Sequence, residues 1–172
     1  MAIYFGDGSG GGDSTEGRII QTQLTSKSAT FSSNSDSFVD ITGFYVDITP
    51  HHSGNKILFI ATLAWGTSID GYSSLQLLRD STALGVAPSY YNQTVCSFAL
   101  QANDNARNKL YNATYTFLDS PNSTSTLRYK LQCRTYPGDN RYFTLNRTYL
   151  NHGSYSYHHR APSRLIAMEV AA

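Results

Sequence analysis

The richest recognition chemistry in this sequence lies between Asn151 and Pro162, where Tyr155, Tyr157, His158, His159 and Arg160 fall within six residues. Tyrosine and histidine rings stack on sugar faces while their polar tips and an arginine form hydrogen bonds, so the segment reads as a candidate glycan or receptor surface. Ser89 to Asn92 is the second candidate, through Tyr90 and Tyr91. For both segments a packed loop or a subunit interface is the competing reading, because exposed connections serve either purpose.

Catalytic arrangements are not legible. The acids Asp70, Asp80, Asp104, Asp119 and Asp139 fall in turns or beside strand ends, and none is paired by spacing for acid–base work. There is no nucleophile elbow, phosphate loop or zinc-protease helix motif. The chain is therefore read as a non-enzyme with no catalytic residues and no cofactor. The histidine pairs His51-His52 and His158-His159 do not suit a metal within one chain, since neighbours on an extended strand point to opposite faces. One histidine from each chain of a trimer could meet on the axis; exposed loop histidines are the default, and no metal site is assigned. Cys96 and Cys133 are too few for a disulfide framework and read as buried free thiols. The four Asn-X-Ser/Thr triplets, at Asn92, Asn112, Asn122 and Asn146, are what this composition produces by chance.

The elements that must position these residues are strands. Of 172 residues, 21 are Ser, 17 Thr, 11 Asn and 13 Tyr, whereas only Glu16 and Glu169 are glutamate, a balance that disfavours helices. Val39 and Ile41, then Phe44, Val46 and Ile48, alternate with polar residues. Leu127, Tyr129, Leu131 and Cys133 do the same against Arg128, Lys130, Gln132 and Arg134, which turns Cys133 inward; the same count turns Cys96 inward with Phe98 and Leu100. Lys56 to Trp65 is apolar on both faces, as expected of a central strand covered from both sides or of one at a subunit contact. Further strands are expected at Leu75 to Arg79, Thr94 to Gln101, Leu110 to Leu118, Arg141 to Leu150 and Arg164 to Ala171. Eight or so strands without a helix predict an all-β fold, an antiparallel β-sandwich of jelly-roll type.

Residues 1–17 carry no periodic apolar pattern and read as a Gly-rich arm, in which Ile3, Tyr4 and Phe5 form a short hook able to dock on another protein. The single Asp-Gly-Ser-Gly-Gly-Gly-Asp run lacks the copies a calcium repeat needs. The expected division is an arm at 1–17 and a sandwich domain at 18–172. Neither a signal peptide nor a membrane span is legible, so an unsecreted product without membrane insertion is expected. The net charge of +1 conceals an uneven distribution: eight acids and four bases in residues 1–80, four acids and nine bases thereafter. The basic half could attract an anionic glycan or an acidic neighbouring subunit, or simply be solvated strand faces. The bases form no tail or dense patch, so nucleic acid is not an expected partner.

Several stretches in order, NSDSFVDITGFYVDITP, GNKILFIATLAWG, LQLLRDSTALG, YTFLDSPNSTSTLRYKLQ, FTLNRT and LIAMEVAA, resemble a family of small virion proteins of tailed phages, particularly marine and cyanobacterial ones. The resemblance covers about residues 18 to 172, and the opening YFGDGS is similar to the start of many such proteins. It implies a jelly-roll sandwich similar to trimeric fibre-head domains, a homotrimer on the virion, and an arm whose Ile3, Tyr4 and Phe5 attach to other virion proteins of the tail or capsid. The expected function is a tail-fibre or adsorption module touching host-surface polysaccharide. Capsid decoration, as a cement or head-fibre protein, is the alternative, and a glycan-cleaving enzyme the third. No functional residue carries over from the family by position.

Overall fold

The structure, a computed structural model, describes residues 16–68, 71–102, 106–138 and 141–172. The proposed hook Ile3, Tyr4 and Phe5 lies outside the described residues, as do Asp70, Asp104 and Asp139. Among the described residues eleven strands follow in order: β1 Ile19–Lys27, β2 Phe31–Ser33, β3 Val39–Ile48, β4 Lys56–Thr67, β5 Gly71–Arg79, β6 Thr82–Leu84, β7 Phe98–Ala102, β8 Tyr111–Asp119, β9 Leu127–Thr135, β10 Phe143–Leu145 and β11 Ser163–Val170. One 3-10 turn, Ala106–Asn108, precedes β8.

The fold is an all-β sandwich of two antiparallel sheets. The first runs β1-β11-β4-β10-β2 with β8 on the other side of β4; the second runs β3-β9-β5-β6 with β7 also on β5. Setting aside the three-residue strands β2, β6 and β10 leaves β1-β11-β4-β8 facing β3-β9-β5-β7. First pairs with last, second with next to last, and so inward, which is the pattern of a two-stranded ribbon rolled into a jelly roll.

Sequence alternation explains which faces meet. Leu127, Tyr129, Leu131 and Cys133 of β9 are all at most 5% exposed and pack against Ile57, Phe59 and Ala61 of β4 and Leu165 and Ala167 of β11 in one core. Each large apolar side chain fully buried there contributes about 1.5–3 kcal/mol. In β3 the inward phase changes between Ile41 and Phe44; a bulge between Asp40 and Tyr45, with Gly43 at φ +68°, absorbs the extra residue. Stacked rings of Phe98 on β7 and Tyr115 on β8, 4.5 Å apart, close the gap between the sheets.

Two expectations need correction and two are refined. Residues 94–97 are not strand: β7 begins only at Phe98, and Ser97 instead donates through its N–H to the Leu75 carbonyl and through Oγ to the Leu84 carbonyl. Cys96 is therefore only half-buried, while Cys133 is fully buried; both are free thiols. The expected strand at Arg141 to Leu150 shrinks to β10, because Asn146 at φ +65° turns the chain. Strand β4 is covered on both faces only in its second half, where Ala64 and Gly66 are buried as well as Leu63 and Trp65; in its first half Ile57, Phe59 and Ala61 are buried, whereas Leu58 and Ile60 are half-buried on the outside, in keeping with the subunit-contact alternative. The uneven charge is in part settled within the chain, since Asp40 and Asp47 of β3 pair with Lys130 and Arg128 of β9, both at 2.8 Å.

Candidate functional site

Strand directions give the sandwich two distinct ends. At one, here the proximal end, β1 starts and β11 finishes, and the Gly17 N–H donates to the Ala171 carbonyl at 2.7 Å. At the opposite, distal end, β1, β4 and β9 finish and β11 starts at Ser163. The segment 151–162 leads directly into β11, so it lies at the distal end.

Within that segment the structure brings three of the five expected side chains together. The Tyr155 and Tyr157 rings stack at 5.2 Å, the His158 ring lies 4.7 Å from Tyr157, and His152 joins at 5.7 Å from His158. The cluster is anchored: His158 Nδ1 accepts from the His152 N–H at 3.1 Å, which leaves Nε2 to donate to Asn108 Oδ1 at 2.9 Å. Tyr155 and Tyr157 nonetheless stay half exposed, at 51% and 50%. Arg160 donates through Nε and Nη2 to Asn151 Oδ1, fastening the two ends of the loop. His159 is exposed and holds the loop through its carbonyl, which accepts from the Thr148 N–H at 3.3 Å. Burial and the nearby charge of Arg160 push the Arg147 guanidinium below its usual range, and this cation is held by the carbonyls of Thr148 and Tyr149. Half-exposed aromatic faces, in a loop that also carries Arg160, are chemistry suited to a hydroxylated ligand.

Tyr90 and Tyr91 form a separate patch, T-shaped at 4.6 Å and 63% and 86% exposed, on the connection between β6 and β7. Tyr91 has φ +48°, a region that bulky residues occupy only under strain of about 1–3 kcal/mol. No described contact joins this patch to the 151–162 cluster.

Other chemistry-bearing groups are scaffold. Asp119 on β8 accepts from Tyr129 Oη at 2.6 Å and Arg79 Nη1 at 2.7 Å, tying one sheet to the other. Burial, then the hydrogen bond to Asp119, holds the Tyr129 phenol above its ordinary range, so it remains a neutral donor. Burial pushes the Cys133 thiol up to about 12, which makes it unreactive. His51 and His52 sit at the proximal end, and His51 donates to Glu169 through both its backbone N–H and Nδ1, each at 2.7 Å. A cleft of ≈ 320 Å³ lined by Asp47, Asp80, Thr126, Arg128 and Lys130 is internally neutralised by the Asp47–Arg128 pair. Among the described residues, no group of three or more His, Cys, Asp or Glu is placed to hold a metal, and no helix is long and apolar enough to cross a membrane.

No protein-family model and no curated protein matches this chain. Among solved structures, the chain is similar to the infectious bursal disease virus Gx strain structure, at 15% identity, 90% of this chain, 38% of that one and a TM-score of 0.39. It is also similar to the VP2 subviral particle of the same virus, at 14%, 90%, 38% and 0.40. The tripod from the baseplate of bacteriophage Tuc2009 matches at 13% identity over 100% of this chain and 77% of that one, with a TM-score of 0.23. The chain thus spans about two fifths of the first two, and similarities this low carry no functional argument.

Proposed function

We propose that this protein is a structural component of a tailed-phage virion, a homotrimeric tail-fibre or adsorption module that acts without catalysis. Residues 1–17 dock it on the particle and the distal loops meet host-surface glycans. The observation that supports this reading most is polarity: the chain enters the sandwich at Glu16 on the proximal end, while the half-exposed Tyr155, Tyr157 and His158 cluster sits at the distal end. A module held at one end and bearing aromatic–cationic loops at the other is suited to bridging two surfaces. Three weak sugar contacts in a trimer, multiplied over many trimers, give avidity without any single tight site.

The outer face of β1-β11-β4-β8 supports self-association. Register aligns Leu24, Ile166 and Ile60 in one row and Met168, Leu58 and Leu118 in the next, with Leu24 58% and Leu118 46% exposed. Contiguous apolar surface of this kind is suited to a subunit contact.

Adsorption of particles carrying Tyr155→Ala, Tyr157→Ala or His159→Ala tests the function. Assembly is expected to be unchanged and adsorption to fall; unchanged adsorption rejects the siting of the receptor contact. Capsid decoration is the second reading, favoured by the broad charged outer face of β3 and β9. It requires that reversing Arg128, Lys130 and Arg134 sheds the protein from the shell, and labelled protein imaged on virions separates tail from shell.

A further inference from the structure

Strand β9 presents Arg128, Lys130, Gln132 and Arg134 in one outward row, and β3 answers the first three with carboxylates. Arg128 donates to both oxygens of Asp47 at 2.8 Å, while Lys130 and Gln132 each donate to Asp40 at 2.8 Å. At the distal end of the row Arg134 meets no carboxylate among the described residues. Its Nη1 donates to Thr94 Oγ1 at 3.2 Å, and its guanidinium lies 5.9 Å from the ring centroid of Phe38, just before β3. A planar fork of donors is matched best by a carboxylate, and here the fold supplies a hydroxyl and an aromatic ring instead.

Arg134 lines a trough of ≈ 140 Å³ with Tyr72, Ser74, Thr94, Thr135 and Tyr136. That volume equals about five waters, the scale of one sugar ring. Tyr72 and Tyr136 are 48% and 60% exposed, with centroids 6.3 Å apart at 62°, so they make two faces of an angled wall. The trough is built on paired strands. Ser74 is in register with Arg134, Tyr136 N–H donates to the Tyr72 carbonyl at 3.0 Å, and buried Thr135 donates through N–H and Oγ1 to the Ser35 carbonyl. Rigid backbone under the ligand groups is the preorganisation that weak-ligand sites need.

We propose that this trough binds an acidic sugar, a pyranose bearing a carboxylate. The ring lies against Tyr72 and Tyr136, and its carboxylate takes on Arg134 the place that Asp47 and Asp40 take along the rest of the row. The site is distinct from the 151–162 loop and stands whether or not that loop touches a host.

Ligand-observed NMR titration of the full chain with methyl β-D-glucuronide and methyl β-D-glucoside tests it. Glucuronide is expected to bind with Kd on the order of 1 mM and glucoside about tenfold more weakly. Arg134→Gln should erase that preference while leaving glucoside binding unchanged, Arg134→Lys should retain part of it, and Tyr136→Ala should weaken both sugars. Equal binding of the two sugars by the native protein, binding of neither, or a preference surviving Arg134→Gln overturns the proposal. Tyr155→Ala with Tyr157→Ala should leave the glucuronide preference intact; its loss there would move the sugar to the loop and overturn the trough assignment. Failure of adsorption in those loop variants bears only on the receptor reading.

Discussion

Asn146 is 1% exposed, adopts φ +65°, and ties the turn after β10 to the distal ends of the neighbouring strands β1, β11 and β4. Its Nδ2 donates to the carbonyls of Lys27 and Ala29, its Oδ1 accepts from Ser163 Oγ at 2.6 Å, and its N–H donates to the Ala64 carbonyl. Asparagine tolerates the left-handed region and supplies a donor and an acceptor on one short side chain. Asn146→Ala should therefore cost roughly 3 kcal/mol, measured by urea denaturation, because the buried Ser163 hydroxyl and two part-buried carbonyls lose their partner at once. Tyr91 presents the opposite case, a strained residue on the surface. Tyr91→Asn should raise stability by up to about 1 kcal/mol, since asparagine accepts its backbone angle. A loss of stability instead would show that the Tyr91 ring packs productively.

At the scale of elements, the β3–β4 connection is held by a charge on the opposite strand. Glu169 on β11 is fully buried and accepts from Asn55 Nδ2 at 2.6 Å and twice from His51. Burial works against its charge, but the hydrogen bonds from Asn55 and His51 outweigh it and hold the carboxyl below its ordinary 4.5. A carboxylate with a depressed folded pKa contributes fully above its unfolded value, and that contribution is lost as pH falls through the folded one. Stability should fall below pH 4.5, and Glu169→Gln should cost about 2 kcal/mol at pH 7 and flatten part of the acid loss. Asp40 and Asp47, lowered chiefly by their hydrogen bonds to Lys130 and Arg128, keep the remainder. An unchanged acid profile in Glu169→Gln would remove Glu169 from this role. The same scale shows what the sequence made legible. Strand β9 was readable almost to the residue because one face meets the core and the other meets water, so alternation is unbroken. Strands β2, β6 and β10 are three residues each, too short for a period, and β7 starts late because the 94–97 segment carries strand-forming residues without strand pairing. The 151–162 cluster was legible because its residues are neighbours in sequence. Glu169 with His51, 118 residues apart, and Tyr72 with Tyr136 are joined only by the roll of the ribbon, and no local pattern announces them.

For the whole molecule, the apolar outer rows on β1-β11-β4-β8 make self-association testable without reference to the loops. Ile60→Glu places a charge at the centre of that face without entering the core. Light scattering is expected to give a trimer for the native chain and a monomer near 19.0 kDa for the variant. A native monomer, or a variant that stays trimeric, would take this face out of the assembly. The proximal and distal ends also determine how the molecule bears load. If it is pulled at Glu16 and at the 151–162 loop, β1 is drawn from its start in one direction and β11 from its start in the other. Their antiparallel ladder, from Ile19↔Val170 to Lys27↔Ser163, then lies along the force. All its rungs share the tension together, in shear, instead of opening one at a time like a zipper.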